Sequence, residues 1–306
     1  MRKRKVKKQK FLWLILIVGI LVAIILYHTH QTTQHPKSYS VNESATLSKN
    51  TEGYESLTIK RKVKLQSTTA VTVNKYYLPT TDDQTTYARI RISDKNYYVN
   101  AKNLNLTMTN NINKYVAQLG YPHAGITKQF SSKFTQRTYS TSSGQPRGVV
   151  IHDTGTEYSS LRSEVAYMEE NYSSTQVFVH TFIDASEILN IANTKYMAEG
   201  AGAKANPYFV QFEMPHEYTK ASFAKQTANA AYYTAYILKK YNLPVTKGTK
   251  DGSGTVWTHS MVSSYLGGTD HEDPVSYWST SAQQLFGSSY NIDDFIELVQ
   301  AYYNQI

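Results

Sequence analysis

The spacing of apolar positions changes several times along this chain, and each change marks a different kind of element. Phe11 to Tyr27 reads FLWLILIVGILVAIILY, seventeen residues without a charge. As a helix rising about 1.5 Å per residue it spans roughly 25 Å, at the short end for a bilayer crossing. Residues 28–50 show no hydrophobic period and are rich in Thr, Ser, Gln and His, the composition of a flexible linker. Period-two alternation then sets in, with LTIKRKVKL, AVTVNKYYL, YARIRI and NYYVNA separated by polar turns. Alternating Val, Ile, Thr and Tyr predict a small all-β barrel over residues 51–106. A short helix near 110–119 and a linker fill residues 107–143.

Residues 144–306 mix strand and helix patterns. Strands are predicted at 148–152, 176–183, 188–192 and 209–214, and helices near 160–171, 219–241 and 293–303. In the last helix Ile292, Phe295, Ile296 and Val299 fall at i, i+3, i+4 and i+7, one buried stripe. The pattern is that of an α/β domain, a mixed central sheet flanked by helices.

Charge changes this picture at one end only. The formal net charge is +9, but seven of the 32 Lys and Arg lie in the first ten residues, MRKRKVKKQK. The rest carries 25 basic against 23 acidic groups, so no basic face for nucleic acid is implied. Residues 1–10 read instead as a cytoplasmic tail to a membrane anchor at 11–27, with everything after Tyr27 facing outward. A cleaved signal peptide is the rival reading, but YHTHQTTQH lacks the small residues of a cleavage site. There is no cysteine, so any metal site must use His, Asp or Glu.

The stretch GVVIHDTGT, 148–156, carries the first candidate chemistry. Asp153-Thr154-Gly155 after an apolar run is the hallmark of aspartic proteases, yet the chain has one copy where two carboxylates must share a proton. A metal reading gathers more. His28, His30 and His35 lie in the linker and read as solvated coil, leaving His123, His152, His180, His216, His259 and His271. His152 and His180 end or interrupt apolar runs, and His259 sits in TVWTHSMV. In LGGTDHEDP, His271 and Asp273 are two apart, a spacing that places both on one side of an extended segment. The sharp hypothesis is a His, His, Asp zinc site with its fourth position open; the bland one is a set of separate core and surface histidines.

Taken together, VVIHDTGT, EVAYMEENY, FVHTFID, GAGAKAN, FVQFEM, GTVWTHSMVS and LGGTDHEDP resemble the zinc-dependent type 2 N-acetylmuramoyl-L-alanine amidases, within the peptidoglycan recognition protein superfamily. The pattern resembles that of the staphylococcal autolysin branch. The resemblance implies Zn2+ held by His152, His259 and Asp273, with Glu213 and His271 as catalytic groups that are not ligands. It implies Glu213 as the proton carrier and His271 as a hydrogen-bond donor to the oxyanion. His180, Trp257 and Thr154 are candidate substrate contacts, although His180 and Trp257 also suit a packed core. Two departures stand out: Asp153 where this branch commonly has Asn, and Glu199 in place of an aromatic residue expected to line the groove. Within the β module, Tyr97 to Leu104 weakly resembles SH3-type wall-associated modules, and Leu78-Pro79-Thr80-Thr81 nearly spells a sortase signal but has Asp82 where Gly is required.

The expected protein is therefore a membrane-anchored hydrolase. It would cut peptidoglycan between the lactyl group of N-acetylmuramic acid and the L-alanine of the stem peptide. A zinc peptidase acting within the stem, or a binding module without catalysis, are the alternatives.

Overall fold

The computed structural model describes residues 36–66 and 69–306. The basic tail, the anchor segment and His28, His30 and His35 lie outside the described residues. Among the described residues no helix is long and apolar enough to cross a membrane.

The β module contains β1 (Ser38–Leu47), β2 (Glu52–Tyr54), β3 (Lys62–Lys64), β4 (Ala70–Tyr77), β5 (Tyr87–Ile92), β6 (Lys95–Asn100) and β7 (Leu104–Leu106). They pair antiparallel in the order β3-β2-β6-β5-β4-β1-β7. Among the described residues β3 and β7 end this order, so the expected all-β module is a single antiparallel seven-stranded sheet. Alternation explains the inward face. Val71 and Val73 of β4 are buried, a register shift follows between Val73 and Lys75, and Tyr76 becomes the next buried residue. A bulge of this kind inserts one residue and re-aims the side chains beyond it.

One boundary needs correction. The linker predicted over 28–50 contains β1, which lies between β4 and β7 in the sheet. Its inward face is Tyr39, Ala45 and Leu47, three buried residues diluted among Ser, Asn, Glu and Thr, so its hydropathy hides the strand.

The second unit adds α1 (Asn111–Gln118), β8 (Ile126–Lys128), β9 (Gly148–Ile151), α2 (Leu161–Thr175), β10 (Thr181–Ile183), β11 (Ile188–Asn190) and β12 (Phe209–Glu213). It continues with α3 (Lys220–Lys240), β13 (Val256–Thr258), the single turn α4 (His259–Met261), α5 (Val275–Phe286) and α6 (Ile292–Gln305). The sheet order is β13-β9-β12-β10-β11-β8, mixed as expected, with one antiparallel pair, β10 with β11. All four residues of β9 are buried, which is why it reads as an unbroken apolar run. Val149 and Ile151 belong to the cluster packed with Phe223 of α3 and Val299 of α6. Val150 faces the opposite way, with Phe209 and Trp257.

The predicted strand over 176–183 shrinks to β10, because α2 runs to Thr175 and Gln176 caps it in the left-handed region (φ 55°). The linker over 107–143 is also more than a connection. β8 pairs with β11 at the sheet edge, and Tyr139 is buried.

The two units share one hydrophobic core, in which Tyr39, Val73, Tyr76 and Ile90 join Ile237, Val299, Tyr302 and Tyr303. Polar groups sew the seam. Tyr39 Oη donates to Gln300 Oε1 at 2.9 Å, Asn304 Nδ2 donates to Tyr76 Oη at 3.0 Å, and Lys239 Nζ donates to Thr86 Oγ1 at 2.7 Å.

Glu43 sits at this seam, its Oε2 accepting from Tyr76 Oη at 2.8 Å. Burial, reinforced by the charge of Glu297 and opposed by the Tyr76 hydrogen bond, raises its carboxyl from 4.5 to about 7. A carboxyl whose pKa rises on folding holds its proton more tightly when folded, so it favours the folded chain at low pH. The penalty is absent below the unfolded value, grows between 4.5 and about 7, and is complete above. Glu43→Gln keeps an acceptor for Tyr76 without the charge. It should stabilise the protein at pH 8 by roughly 2 kcal/mol and do nothing at pH 4. Thermal melts of both proteins at the two pH values check this; a gain at pH 4 as large as at pH 8 would contradict it.

Candidate active site

Three neighbouring strands end in one row. β9 lies between β12 and β13 and is parallel to both, with Ile151 paired to Phe212 on one side and to Thr258 on the other. The next residues are His152, Glu213 and His259, which therefore stand side by side at the carboxyl edge of the sheet. That edge is where open α/β sheets form their ligand crevices.

Asp273, in the loop before α5, closes the group. His152 Nδ1 lies 2.9 Å from His259 Nδ1 and 3.3 Å from Asp273 Oδ2, and His259 Nδ1 lies 3.0 Å from Asp273 Oδ1. All three donor groups fall within 4.8 Å of one another. The Asp153 backbone N–H also donates to Asp273 Oδ2 at 3.3 Å, and Ser260 N–H to the Asp273 carbonyl at 3.0 Å. Thr269 Oγ1 sits 3.0 Å from His259 Nε2, turning that ring so that Nδ1 faces the group. Sequence reading missed Thr269. Its only signal was its place in LGGTDHEDP.

Burial lowers the pKa of His152 against the pull of Asp273, so the ring is held neutral. Burial works to raise the Asp273 carboxyl, but the hydrogen bonds from His152 and His259 outweigh it and keep the group ionised. Two imidazoles and a carboxylate thus converge as donors.

Glu213 has the opposite electrostatics. Burial pushes its carboxyl well up, and the charges of Asp273, Asp153 and Glu164 push the same way. Its Oε2 is sealed from solvent and has no hydrogen-bond partner; the same is true of Thr154 Oγ1 and His152 Nε2. Buried polar atoms left unpaired are costly, and Glu213 Oε2 and Thr154 Oγ1, which line one cavity, mark where a ligand completes the site. Glu213 and Thr154 line a cavity of about 370 Å³ with His271. The His271 ring stacks on His259 at 4.6 Å, its Nδ1 is 3.6 Å from Asp273 Oδ1, and its side chain is 66% exposed.

Two predicted contacts lie elsewhere. His180 is fully buried: its Nδ1 accepts from Gln211 N–H at 3.0 Å, its Nε2 lies 2.8 Å from the Tyr196 carbonyl, and burial lowers its pKa to about 4. It is a packed core histidine, with both ring nitrogens used by the protein. Trp257 is also fully buried, stacked so closely on Gly248 that a Cβ there would come within 2.4 Å of the ring. Neither can reach a surface ligand. Thr154 is the one of the three that lines the cavity.

Glu199 pairs with Arg137 and does not line the cavity beside Glu213. His123 stacks on Tyr232 at 3.6 Å. His216, which the sequence left unassigned, pairs its Nε2 with Asp153 Oδ2 at 2.6 Å and lies flat on Tyr277 at 4.2 Å. Thus Asp153 serves His216 and the loop after β9, not a proton-sharing pair of aspartates.

Residues 142–276 match the family described as N-acetylmuramoyl-L-alanine amidase. Among curated proteins, the chain is similar to Protein Ami of Listeria monocytogenes, 40% identical over 192 residues, which cover 63% of this chain and 20% of that protein. It is also similar to the bifunctional autolysin of Staphylococcus aureus, 37% identical over 196 residues, covering 64% of this chain and 15% of the relative. The chain thus spans a fifth or less of the length of these relatives. Among solved structures it is similar to the Staphylococcus aureus hydrolase AmiA in complex with its ligand, at 36% identity and a TM-score of 0.59, covering 64% of this chain and 92% of that one.

Proposed function

This chain belongs to the N-acetylmuramoyl-L-alanine amidase family, and from that membership we propose that it hydrolyses the amide between the lactyl group of N-acetylmuramic acid and the L-alanine of the stem peptide. The observation that carries the reading is the row His152, Glu213, His259 with Asp273 closing on it.

The donors fit zinc. Donor separations of 2.9, 3.0 and 3.3 Å are those of side chains arranged around one small ion, since tetrahedral arms of about 2.0–2.1 Å set donors roughly 3.3 Å apart. A neutral His152 imidazole and an ionised Asp273 carboxylate are also the protonation states a metal requires. His152, His259 and Asp273 would hold the ion. When bound, zinc supplies a Lewis acid that acidifies a water, polarises an amide carbonyl and offsets the carboxylates that raise Glu213.

The chain's own groups do the rest. Glu213 takes a proton from the attacking water on its unpaired Oε2 and returns it to the leaving nitrogen of L-alanine. His271, which lines the same cavity, donates a hydrogen bond to the carbonyl oxygen as charge develops there. Thr154 Oγ1, buried without a partner in the lining of the same cavity, holds a substrate polar group in position.

Digestion of purified cell wall with the full chain tests the proposal. New L-alanine amino termini without new reducing sugars are the expected products. Termini from within the stem would instead identify a peptidase, and no products would identify a binding module. A chelator should abolish the release and added zinc should restore it, with bound metal measured alongside. If chelation removes the metal and leaves the rate intact, the zinc assignment fails.

The same proposal places the catalytic unit at the outer face of a membrane, tethered through residues 11–27, in keeping with the wall substrate. Cell fractionation with sequencing of the mature amino terminus checks it; a soluble form starting near Gln31 would refute the tether.

A further inference from the structure

The segment from Asp153 to Tyr158 separates two cavities. Thr154 and Thr156 line the one that holds Glu213 and His271. Glu157 and Tyr158 line the other, about 340 Å³, together with His216, Glu217 and Tyr218. Hydrolysis as derived above uses nothing in this second cavity.

Its wall is an aromatic platform. Tyr158 and Tyr218 stack at 4.5 Å with planes 14° apart, and the Tyr158 backbone N–H donates to Tyr218 Oη at 2.6 Å. Tyr158 is 79% exposed and Tyr218 45%, so the pair presents ring surface to solvent and is not part of a core. Single exposed apolar residues are ordinary on a protein surface; a stacked pair at the mouth of a cavity is not. Tyr158 also has φ 57°, a conformation that bulky residues avoid, so the loop holds this ring outward against its own backbone preference.

The charge of the cavity is one-sided. Glu157 and Glu217 line it, and no Lys or Arg does. Among the described residues neither glutamate is in an ion pair, while Glu217 Oε1 is fixed by the Ala185 N–H at 2.9 Å. An aromatic face beside two uncompensated carboxylates attracts an ammonium group and repels a carboxylate. The cavity is also tied to the reaction centre, because His216, which lines it, pairs with Asp153, whose N–H donates to Asp273.

We propose that this cavity is a subsite for a primary ammonium group carried on a peptide arm of the wall substrate, held against Tyr158 and between Glu157 and Glu217. The identity of the arm rests on the amidase reading; the ammonium preference rests on the cavity alone. Two sources present that chemistry, the side-chain amine of a diamino acid in the stem and the free amino terminus of a cross-bridge.

The test is equilibrium binding to the full chain carrying Glu213→Gln, so that probes are not consumed. The probes are a soluble muramyl tripeptide ending in lysine, the same tripeptide bearing a glycine bridge with a free amino terminus, and the N-acetylated form of each. Acetylation of the recognised amine should weaken binding about tenfold, a single cation–π contact reinforced by charge. Whichever pair shows the drop names the source. Adding Glu157→Gln and Glu217→Gln, both isosteric, should remove that difference while leaving the acetylated probes and the melting temperature unchanged. Tyr158→Ala should reduce it in the same direction. Equal binding of free and acetylated probes, or a difference that survives the double glutamine variant, overturns the proposal. If the amine preference holds but the unmodified chain releases no L-alanine termini from wall, it is the amidase reading that fails.

Discussion

If the proposed zinc amidase site is right, a chain carrying Asp273→Ala is expected to bind no zinc and to show no measurable release of L-alanine termini from cell wall. Asp273 is the hub of the site: its two oxygens face His152 Nδ1, His259 Nδ1 and the Asp153 N–H within 3.3 Å. Removing it takes away the one anionic donor and leaves only the two imidazoles, facing each other at 2.9 Å. Losing a partner that merely orients a metal ligand typically weakens binding about 10–100-fold. Loss of a ligand should exceed that, so metal should be absent after dialysis. Elemental analysis of the dialysed protein beside a turnover assay reads both effects. Zinc retained at full occupancy would remove Asp273 from the ligand set. If His271→Ala were then the variant that lost the metal, the assignment within HEDP would be inverted.

The second large effect separates chemistry from metal binding. Glu213→Gln should keep zinc at full occupancy while turnover falls about 10²–10⁴-fold, the usual worth of positioned acid–base help. The substitution is nearly isosteric and removes a carboxyl that burial and three neighbouring carboxylates already disfavour as an anion. The folded state should therefore be no less stable, and a thermal melt should show an equal or higher midpoint. The defect should lie in kcat with KM little changed, because the proton carrier acts on the transition state. His271→Ala should behave similarly toward the metal, since its Nδ1 lies 3.6 Å from Asp273 Oδ1 and its ring is mostly exposed. A Glu213→Gln enzyme with near-normal turnover would exclude Glu213 as the proton carrier.

Much of this was legible in the chain itself. An unbroken apolar run located β9 and β12, which are buried almost throughout, and a one-sided stripe located α6, since both patterns record burial. The candidate ligands His152, His259 and Asp273 were legible through the resemblance of the motifs that contain them. His152 ends an apolar run and Asp273 sits in a constrained loop, but it was the resemblance of the whole set of motifs that singled out these three among the histidines and acids. β1 was not legible, because Tyr39, Ala45 and Leu47 carry its inward face among polar neighbours and only docking on β4 and β7 makes a strand of it.

Other matters depended on which segments meet. No local pattern encodes that Ile151 pairs with both Phe212 and Thr258, and that register alone puts His152, Glu213 and His259 in one row. Nor does local pattern distinguish His152 from His180, since both follow a run of apolar residues. One stands at the carboxyl edge beside Asp273; the other is enclosed by Gln211, Tyr196 and Tyr139. The union of the β module with α3 and α6 in one core, and the Asp153–His216 pair, are likewise contacts between distant segments. Residue chemistry and periodicity are properties of neighbours along the chain, so the sequence determined the elements and the kinds of groups available. Register and face are properties of neighbours in space, and those decided which groups share a site.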